Sequence, residues 1–361
     1  MRNLQEKHVI RVVCMILLAM LLTACGKTNV SDAGGEGIIF DQEDRLPAMI
    51  AKDADSYYVL TNQHDDTHYK LMTGNDLHQL VEQYHTDGVT IRHLYASDGY
   101  AGWVEEDEKE YRYNVYDSRT NQVKTVWRAA SPERSGVSQN IQMGMYKNSL
   151  YYSQNDFEIN KVRLVCYDMK SGASTVIHKA ALRADRLGNY GITALDVSEK
   201  GILTAYVNTD HNRSRLLRTD LNTGKSHSVK IPGAVDAVYA VSYDDATGMS
   251  ALYYEGAKTI EEQVGVFKEK SKEIKVLYTF GHSGWALDYE IRLHQGHLYW
   301  ANELNTLSGT ADPDHHWVVD YDCNSDQYKE YKHAFRSTII EGRLCLLAFE
   351  NGMNTVRIQI L

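Results

Sequence analysis

Acid and histidine occur together at several places along this chain of 361 residues. The stretches are Gln63-His64-Asp65-Asp66-Thr67-His68, the run Glu105-Glu106-Asp107-Glu108-Lys109-Glu110, Asn155-Asp156-Phe157-Glu158, Asp210-His211-Asn212-Arg213, and a long segment, 303–316, that ends Asp312-Pro313-Asp314-His315-His316. Carboxylate oxygens and imidazole nitrogens are the donors that hold Zn²⁺ and similar ions, and a ring of them would also receive a basic partner. No spacing here matches a standard metal site, so no metal is assigned. Each stretch alone reads more simply as a solvated hairpin tip, since charge runs usually face water. A second set mixes cations with aromatics: Arg134 in 128–140, Arg183, Arg186 and Tyr190 in 179–191, and His282 and Trp285 in 280–288. A guanidinium fork suits an anionic ligand and an exposed ring suits a sugar. Packing between neighbouring structural units explains the same residues equally well.

Catalytic patterns are missing from the sequence. Gly281-His282-Ser283-Gly284 is not a GxSxG elbow, and there is no glycine-rich phosphate loop, no HExxH and no carboxylate pair singled out by spacing. The expectation is a protein without a cofactor and with no assignable catalytic residue.

The elements that carry these residues repeat. The stretch 148–177, NSLYYSQNDFEINKVRLVCYDMKSGASTVI, runs from a turn residue into an aromatic strand, a polar loop, an alternating strand, a tight turn and a last short strand. Aligning the turn that opens each aromatic strand gives Asp55, Gly99, Asn148, Gly201, Gly248, Gly296 and Gly342, at intervals of 44, 49, 53, 47, 48 and 46 residues. A short strand-like segment precedes every turn: 48–51, 91–96, 141–146, 192–197, 238–243, 291–294 and 337–340. Asp117, Asp168 and Asp220 each open an Asp-x-x-Thr/Ser-Gly/Asn hairpin turn, in which the carboxylate caps the turn and Gly or Asn accepts positive φ. Four short strands per repeat at this period is the pattern of a β-propeller. The 25 tyrosines and only 4 prolines suit half-buried pleated surfaces.

The sequence therefore predicts an all-β fold, a propeller of seven four-stranded antiparallel blades rather than six or eight. The seventh repeat ends after three strands, near 337–340, 343–349 and 354–360. Ile38-Ile39-Phe40 is then expected to supply the missing outer strand and close the ring, because an open ring would leave unpaired edges. The long loops between second and third strands, and those between blades, fall on one face, which places the acidic collar and the cationic set there.

The first residues carry an address. Arg2, Lys7 and Arg11 precede an apolar run of eleven residues, 12–22, too short for a membrane span of about 20 residues but suited to a signal peptide. It ends Leu22-Thr23-Ala24-Cys25, which resembles the bacterial lipobox. That resemblance implies lipid attachment at the Cys25 thiol after removal of residues 1–24. Residues 25–37 then read as the lipidated cysteine and a polar tether spanning about 20 Å, and 38–361 as the propeller domain. On period and strand pattern, residues 37–361 resemble bacterial propeller lipoproteins with TolB-like or quinoprotein-like blades, a likeness that transfers no site residue.

The formal charge is −10, and residues 1–24 contribute +2, so the mature chain stands at −12. That excludes nucleic acid, whose binding needs Lys and Arg against phosphate. It also argues against a polybasic contact with anionic lipid. Cys166, Cys323 and Cys345 remain in the mature domain without CxxC spacing, so neither a disulfide framework nor a zinc site is signalled. The resulting expectation is a monomeric, lipid-anchored protein of the cell membrane, on its extracytoplasmic side. Its propeller serves as a binding or interaction scaffold for an envelope protein, a glycan or a cation. The alternative is a polysaccharide lyase or glycosidase acting across the channel mouth. The ligand-binding candidates are Asp65, Asp66, Asp210, His211, Asp312, Asp314, His315, His316, Arg134, Arg186 and Trp285.

Overall fold

The computed structural model describes residues 28–32, 37–40, 46–62, 68–130, 141–156, 160–182, 191–207, 213–233, 235–256, 261–280, 284–304, 313–352 and 354–361. They form a β-propeller of seven blades, each built on four antiparallel strands. The innermost strands, in blade order, are Leu46–Lys52, Thr90–Ser97, Met143–Tyr146, Ile192–Val197, Val235–Asp244, Gly284–His294 and Ala334–Ile340. Consecutive inner strands touch one another all the way round, including the seventh against the first.

Each blade begins with a turn that reverses the inner strand into the aromatic second strand. In three of them both central residues have positive φ: Asp98 and Gly99, Gln295 and Gly296, Glu341 and Gly342. This is the primed hairpin turn, whose twist matches that of the flanking strands. The turns between third and fourth strands follow the aspartate pattern. Asp220 Oδ1 accepts the Thr223 N–H at 2.7 Å, and Gly224 takes φ +67°. Asp168 does the same for Ser171 at 2.7 Å. A further copy, Asp322 with Asn324 at 2.8 Å, ends on Asp326 instead of Gly or Asn. Backbone N–H donors at Asp168, and the Ser325 hydroxyl with the Asn324 N–H at Asp322, hold these carboxyls below the usual range.

The hydrophobic residues divide into seven clusters, one per blade interface. Between the second and third blades, for example, Tyr113 and Tyr152 lie 4.8 Å apart with Val104, Met143 and Leu150 around them. Between the fifth and sixth, Trp300 packs on Tyr253 and Val264. The tyrosine excess is thus explained: alternate residues of the second and third strands fill the gap between adjacent sheets.

Closure is as predicted. Ile38–Phe40 pairs antiparallel with Val356–Ile360 as the outer strand of the last blade, Ile38 opposite Ile358 and Phe40 opposite Val356. Ile38 and Phe40 also join the cluster that welds blade seven to blade one through Ile50, Val59, Cys345 and Leu347. One feature differs from expectation. Within the segment read as a tether, Thr28–Asp32 forms a strand that lies parallel to Gln327–Lys332 on the outer edge of the sixth blade. An edge strand presents a row of unsatisfied N–H and C=O groups, and a polar segment can pair with it without burying apolar surface.

Candidate functional site

A set of charged side chains joined across several blades lies on the propeller axis, on inner strands. Charges of both signs interrupt those strands: Arg92 and His93 in the second blade, Asp196 in the fourth, Glu290 and Arg292 in the sixth, Arg336 in the seventh. The inner strands are irregular where these residues sit. Their pairing with the second strand slips by a residue at Arg92/Leu94 and Ala334/Arg336, and by more at Ala286/Ile291. Such bulges re-aim side chains. At the first, His93 adopts φ +59°, a left-handed conformation that costs of order 1 kcal/mol for a non-glycine residue.

Arg292 is the centre. Its Nη2 donates to Tyr95 Oη at 3.1 Å, and the guanidinium lies 5.4 Å from the Tyr95 ring centroid. Its Nη1 is 3.7 Å from Asp196 Oδ1. The second Asp196 oxygen accepts the Tyr243 N–H at 2.7 Å and the Ser242 hydroxyl at 3.1 Å. Ser242 Oγ in turn accepts the Leu293 N–H at 3.0 Å. Beside this, His93 Nε2 donates to the Ile141 carbonyl at 3.1 Å. Its Nδ1 faces Glu290 Oε1 at 3.8 Å. Blades two, four, five and six are thereby joined across the channel.

Burial sets the protonation of this group. It pushes the Asp196 carboxyl up, against the opposing pull of Arg292 and the Tyr243 N–H. At Glu290 burial acts in the same direction, but His93 and Arg292 outweigh it and hold the carboxyl low. Burial presses the Arg336 guanidinium down to about 10, still cationic at neutral pH.

Arg292 also partitions the channel. On one side is a cavity of 490 Å³ whose wall includes Lys52, Tyr95, Asp196, Glu199, Arg292 and His294. On the other is a chamber of 20 Å³ lined by Glu290, Arg292 and Arg336 and walled by Met49, Ile50 and Leu347, room for about one water molecule. The larger cavity lies where inner strands enter their first turns. Some of its carboxylates are engaged: Asp244 accepts from the Thr247 hydroxyl at 2.7 Å and the Gly296 N–H at 2.8 Å, and Asp245 pairs with Arg218 at 3.3 Å. What remains is a mixed-charge hollow of small-molecule size with a fixed cation at its floor.

The residues proposed from sequence are placed differently. Asp65, Asp66, Asp210, His211, Asp312, Arg134 and Arg186 lie outside the described residues, as does Cys25. Trp285 belongs to the inner strand of the sixth blade, opposite Glu303, because that strand begins at Gly284, inside the segment read as a blade-to-blade loop. Asp314 is exposed and 2.8 Å from His333 Nε2. His315 precedes the strand His316–Asp322, and His316 is not on a rim: the strand alternation turns it inward, 6% exposed, edge-on to Phe349 at 5.2 Å. In the acidic run of the second blade the charges are neutralised at home. Arg92 binds Glu106 at 2.9 Å, and Arg112 reaches Glu105 at 3.2 Å and Glu110 at 2.9 Å. Asp107 Oδ1 caps the N–H groups of Lys109 and Glu110 at 2.8 Å. Among the described residues no three His, Cys, Asp or Glu gather in a metal-binding arrangement.

Nothing in the loop composition points to the axial cluster, because its members sit on strands. The sequence did hold a signal: a charged residue in the middle of a strand that lines a propeller axis has no solvent to face except the channel.

No family model and no curated protein matches this chain. Solved structures do. The β-propeller domain of the Trilobed protease from Pyrococcus furiosus aligns with 87% of this chain and 92% of its own length at 12% identity, TM-score 0.53. Its reported open velcro topology contrasts with the closure by Ile38–Phe40 seen here. A chain of the Mitotic Checkpoint Complex aligns over 94% of this chain and 93% of itself, at 8% identity and TM-score 0.54. TolB from Acinetobacter baumannii aligns over 84% of this chain and 63% of its own at 11% identity and TM-score 0.42, too distant to argue from. These likenesses show the propeller fold and nothing finer.

Proposed function

We propose that this protein is a lipid-anchored, extracytoplasmic binding module that holds a small polar ligand, or the polar tip of an envelope partner, in the axial cavity. The observation that carries this reading is the 490 Å³ cavity floored by Arg292. Sites for small ligands are concave, largely pre-formed and equipped with a few fixed polar groups. Here Tyr95, Asp196 and the inner strands of four blades hold the guanidinium in place before any ligand arrives, and pre-organisation of this kind reduces the cost of binding. The lipid anchor rests on Leu22-Thr23-Ala24-Cys25 and the signal-like run before it.

The test is affinity capture from envelope extract with residues 26–361 immobilised, beside a Lys52→Glu/Glu199→Lys variant that reverses two charges of the cavity wall. The expected result is a protein or glycan retained by the first and lost by the second. Retention of the same material by both would move the binding surface elsewhere, and retention of nothing would end the reading. The anchor is tested separately: Cys25→Ala should abolish lipid labelling and leave the precursor uncleaved.

A further inference from the structure

The strand Thr28–Asp32 was not expected, and it constrains where the membrane lies. Its register on the sixth blade sets Thr28 opposite Tyr328, Val30 opposite Glu330 and Asp32 opposite Lys332. Cys25 precedes Thr28 by three residues, which allows at most about 11 Å of chain at ~3.6 Å per residue. A tether free from Cys25 to Gly37 would reach about 40 Å by the same measure. The paired strand thus removes most of the stand-off.

We infer that the N-terminal strand straps the propeller to the bilayer by the outer rim of its sixth blade, at the end where the third and fourth strands turn, so that this rim and not the opposite one lies against the membrane. This inference rests on the lipid-anchor reading above.

Charge agrees with this placement. The mature chain is strongly acidic, and an acidic surface turned to anionic lipid would be repelled. The rim beside the strap is not acidic. Lys268, Lys270, Lys272 and Lys275 are exposed on the last turn and outer strand of blade five, and Lys329 and Lys332 follow on blade six. Lys275 bridges the two blades at Asp326, 3.0 Å away, and Tyr328 donates to the Leu277 carbonyl at 2.9 Å. Against these six lysines stand Glu269, Glu273, Asp322, Asp326 and Glu330, with Asp32 on the strap itself, so the rim is balanced where the rest of the chain is acidic. Whole-chain charge, which argued against contact with anionic lipid, averages this patch away.

The experiment uses the full lipidated chain in phosphatidylcholine vesicles, with and without phosphatidylglycerol. A photo-crosslinking amino acid is placed at Gln327, on the sixth blade's outer strand, or at Ser174, on the outer strand of blade three across the ring; both positions are exposed. Mass spectrometry of the N-terminal peptide first establishes lipid on Cys25. Lipid adducts at Gln327 should exceed those at Ser174 several-fold, in vesicles with or without phosphatidylglycerol. Replacing Asn29 and Val30 together by proline removes a pairing N–H whichever of the two donates. That variant, with unchanged melting temperature and intact lipidation, should lose the difference between the two positions. A peptide without lipid would refute the anchor reading itself. A lipidated chain with equal adducts at the two positions, or with a Gln327 excess that survives the prolines, would overturn the strap alone. Loss of the Gln327 excess when phosphatidylglycerol is present would overturn the role given to the lysines.

Discussion

The axial cluster and the acidic run of the second blade are both dense in charge, yet they do opposite things. In the run, Arg92, Arg112 and Arg128 answer Glu105, Glu106 and Glu110 from the same sheet, strand to neighbouring strand. Removing one partner perturbs one blade. On the axis, Arg292 answers Tyr95 and Asp196, which belong to two other blades. Its partners are far apart in sequence, and each contact couples sheets that share no hydrogen-bond ladder. Charge density in a sequence therefore says little about what a cluster holds together. The position of the strand that carries it decides.

Four measurements would break or sharpen that contrast. The largest effect is expected for Arg292→Ala. It strands Asp196 and Glu290 without their cation and should cost about 3 kcal/mol in urea unfolding, the low end for a broken buried pair because the guanidinium keeps contact with channel water. Combined with Tyr95→Phe the loss should be sub-additive by about 1 kcal/mol, as for residues in direct contact. Additive effects would mean that the axis does not couple blades two and six.

Ile38–Phe40 lies on the outer rim but does reach between blades, so it separates distance from the axis from coupling. Deleting residues 26–40 should destabilise the domain by a few kcal/mol relative to deleting 26–35, at ~25 cal/mol per Å² of apolar surface re-exposed. Equal melting temperatures for the two truncations would show that ring closure does not need this strand.

Arg112→Ala comes third. Glu105 is 2% exposed and would keep the Trp103 indole N–H, at 2.9 Å, and the Tyr84 hydroxyl, but no cation. A cost of about 2 kcal/mol is expected, in the range for a buried acceptor that loses a charged donor, with no coupling to Arg292. Asp107→Asn, on the same loop, should stay within about 0.5 kcal/mol, because this half-buried turn residue keeps its capping oxygen as Asn. A larger loss there would give the acidic run a structural weight that its geometry does not suggest.

Acid stability gives the fourth test. Glu290 has its carboxyl lowered in the folded state, so its ionisation stabilises the fold above the unfolded value and that contribution fades as pH falls through the folded one. Asp196 is raised, so it acts with the opposite sign: its protonation favours the folded state, an advantage lost as pH rises through its folded value. Glu290→Gln should therefore flatten the acid limb of the stability curve below about pH 4.5, and Asp196→Asn should steepen it. The same slope in both variants would show that the two carboxyls do not titrate with the fold.

Much of the fold was legible in the chain because its causes are local. The turn residues Gly99, Gly296 and Gly342 punctuate it where positive φ is required, and Asp168 and Asp220 cap hairpins within five residues of themselves. Strand alternation and the repeat interval then fix four strands per blade. A seventh repeat one strand short leaves Ile38-Ile39-Phe40 as its complement. The lipobox-like Leu22-Thr23-Ala24-Cys25 is likewise a contiguous signal.

Tertiary structure alone decided which charges meet. His93 and Glu290, or Tyr95 and Arg292, are separated by almost two hundred residues, and only closure of the ring sets them across one channel. His316 looked like a rim ligand beside Asp314 until the pleat of its strand turned it against Phe349. The pairing of Thr28–Asp32 with the sixth blade could not be read from a polar segment without apolar periodicity. Such a strand is selected by the free edge it meets, and that edge exists only after the blades have formed.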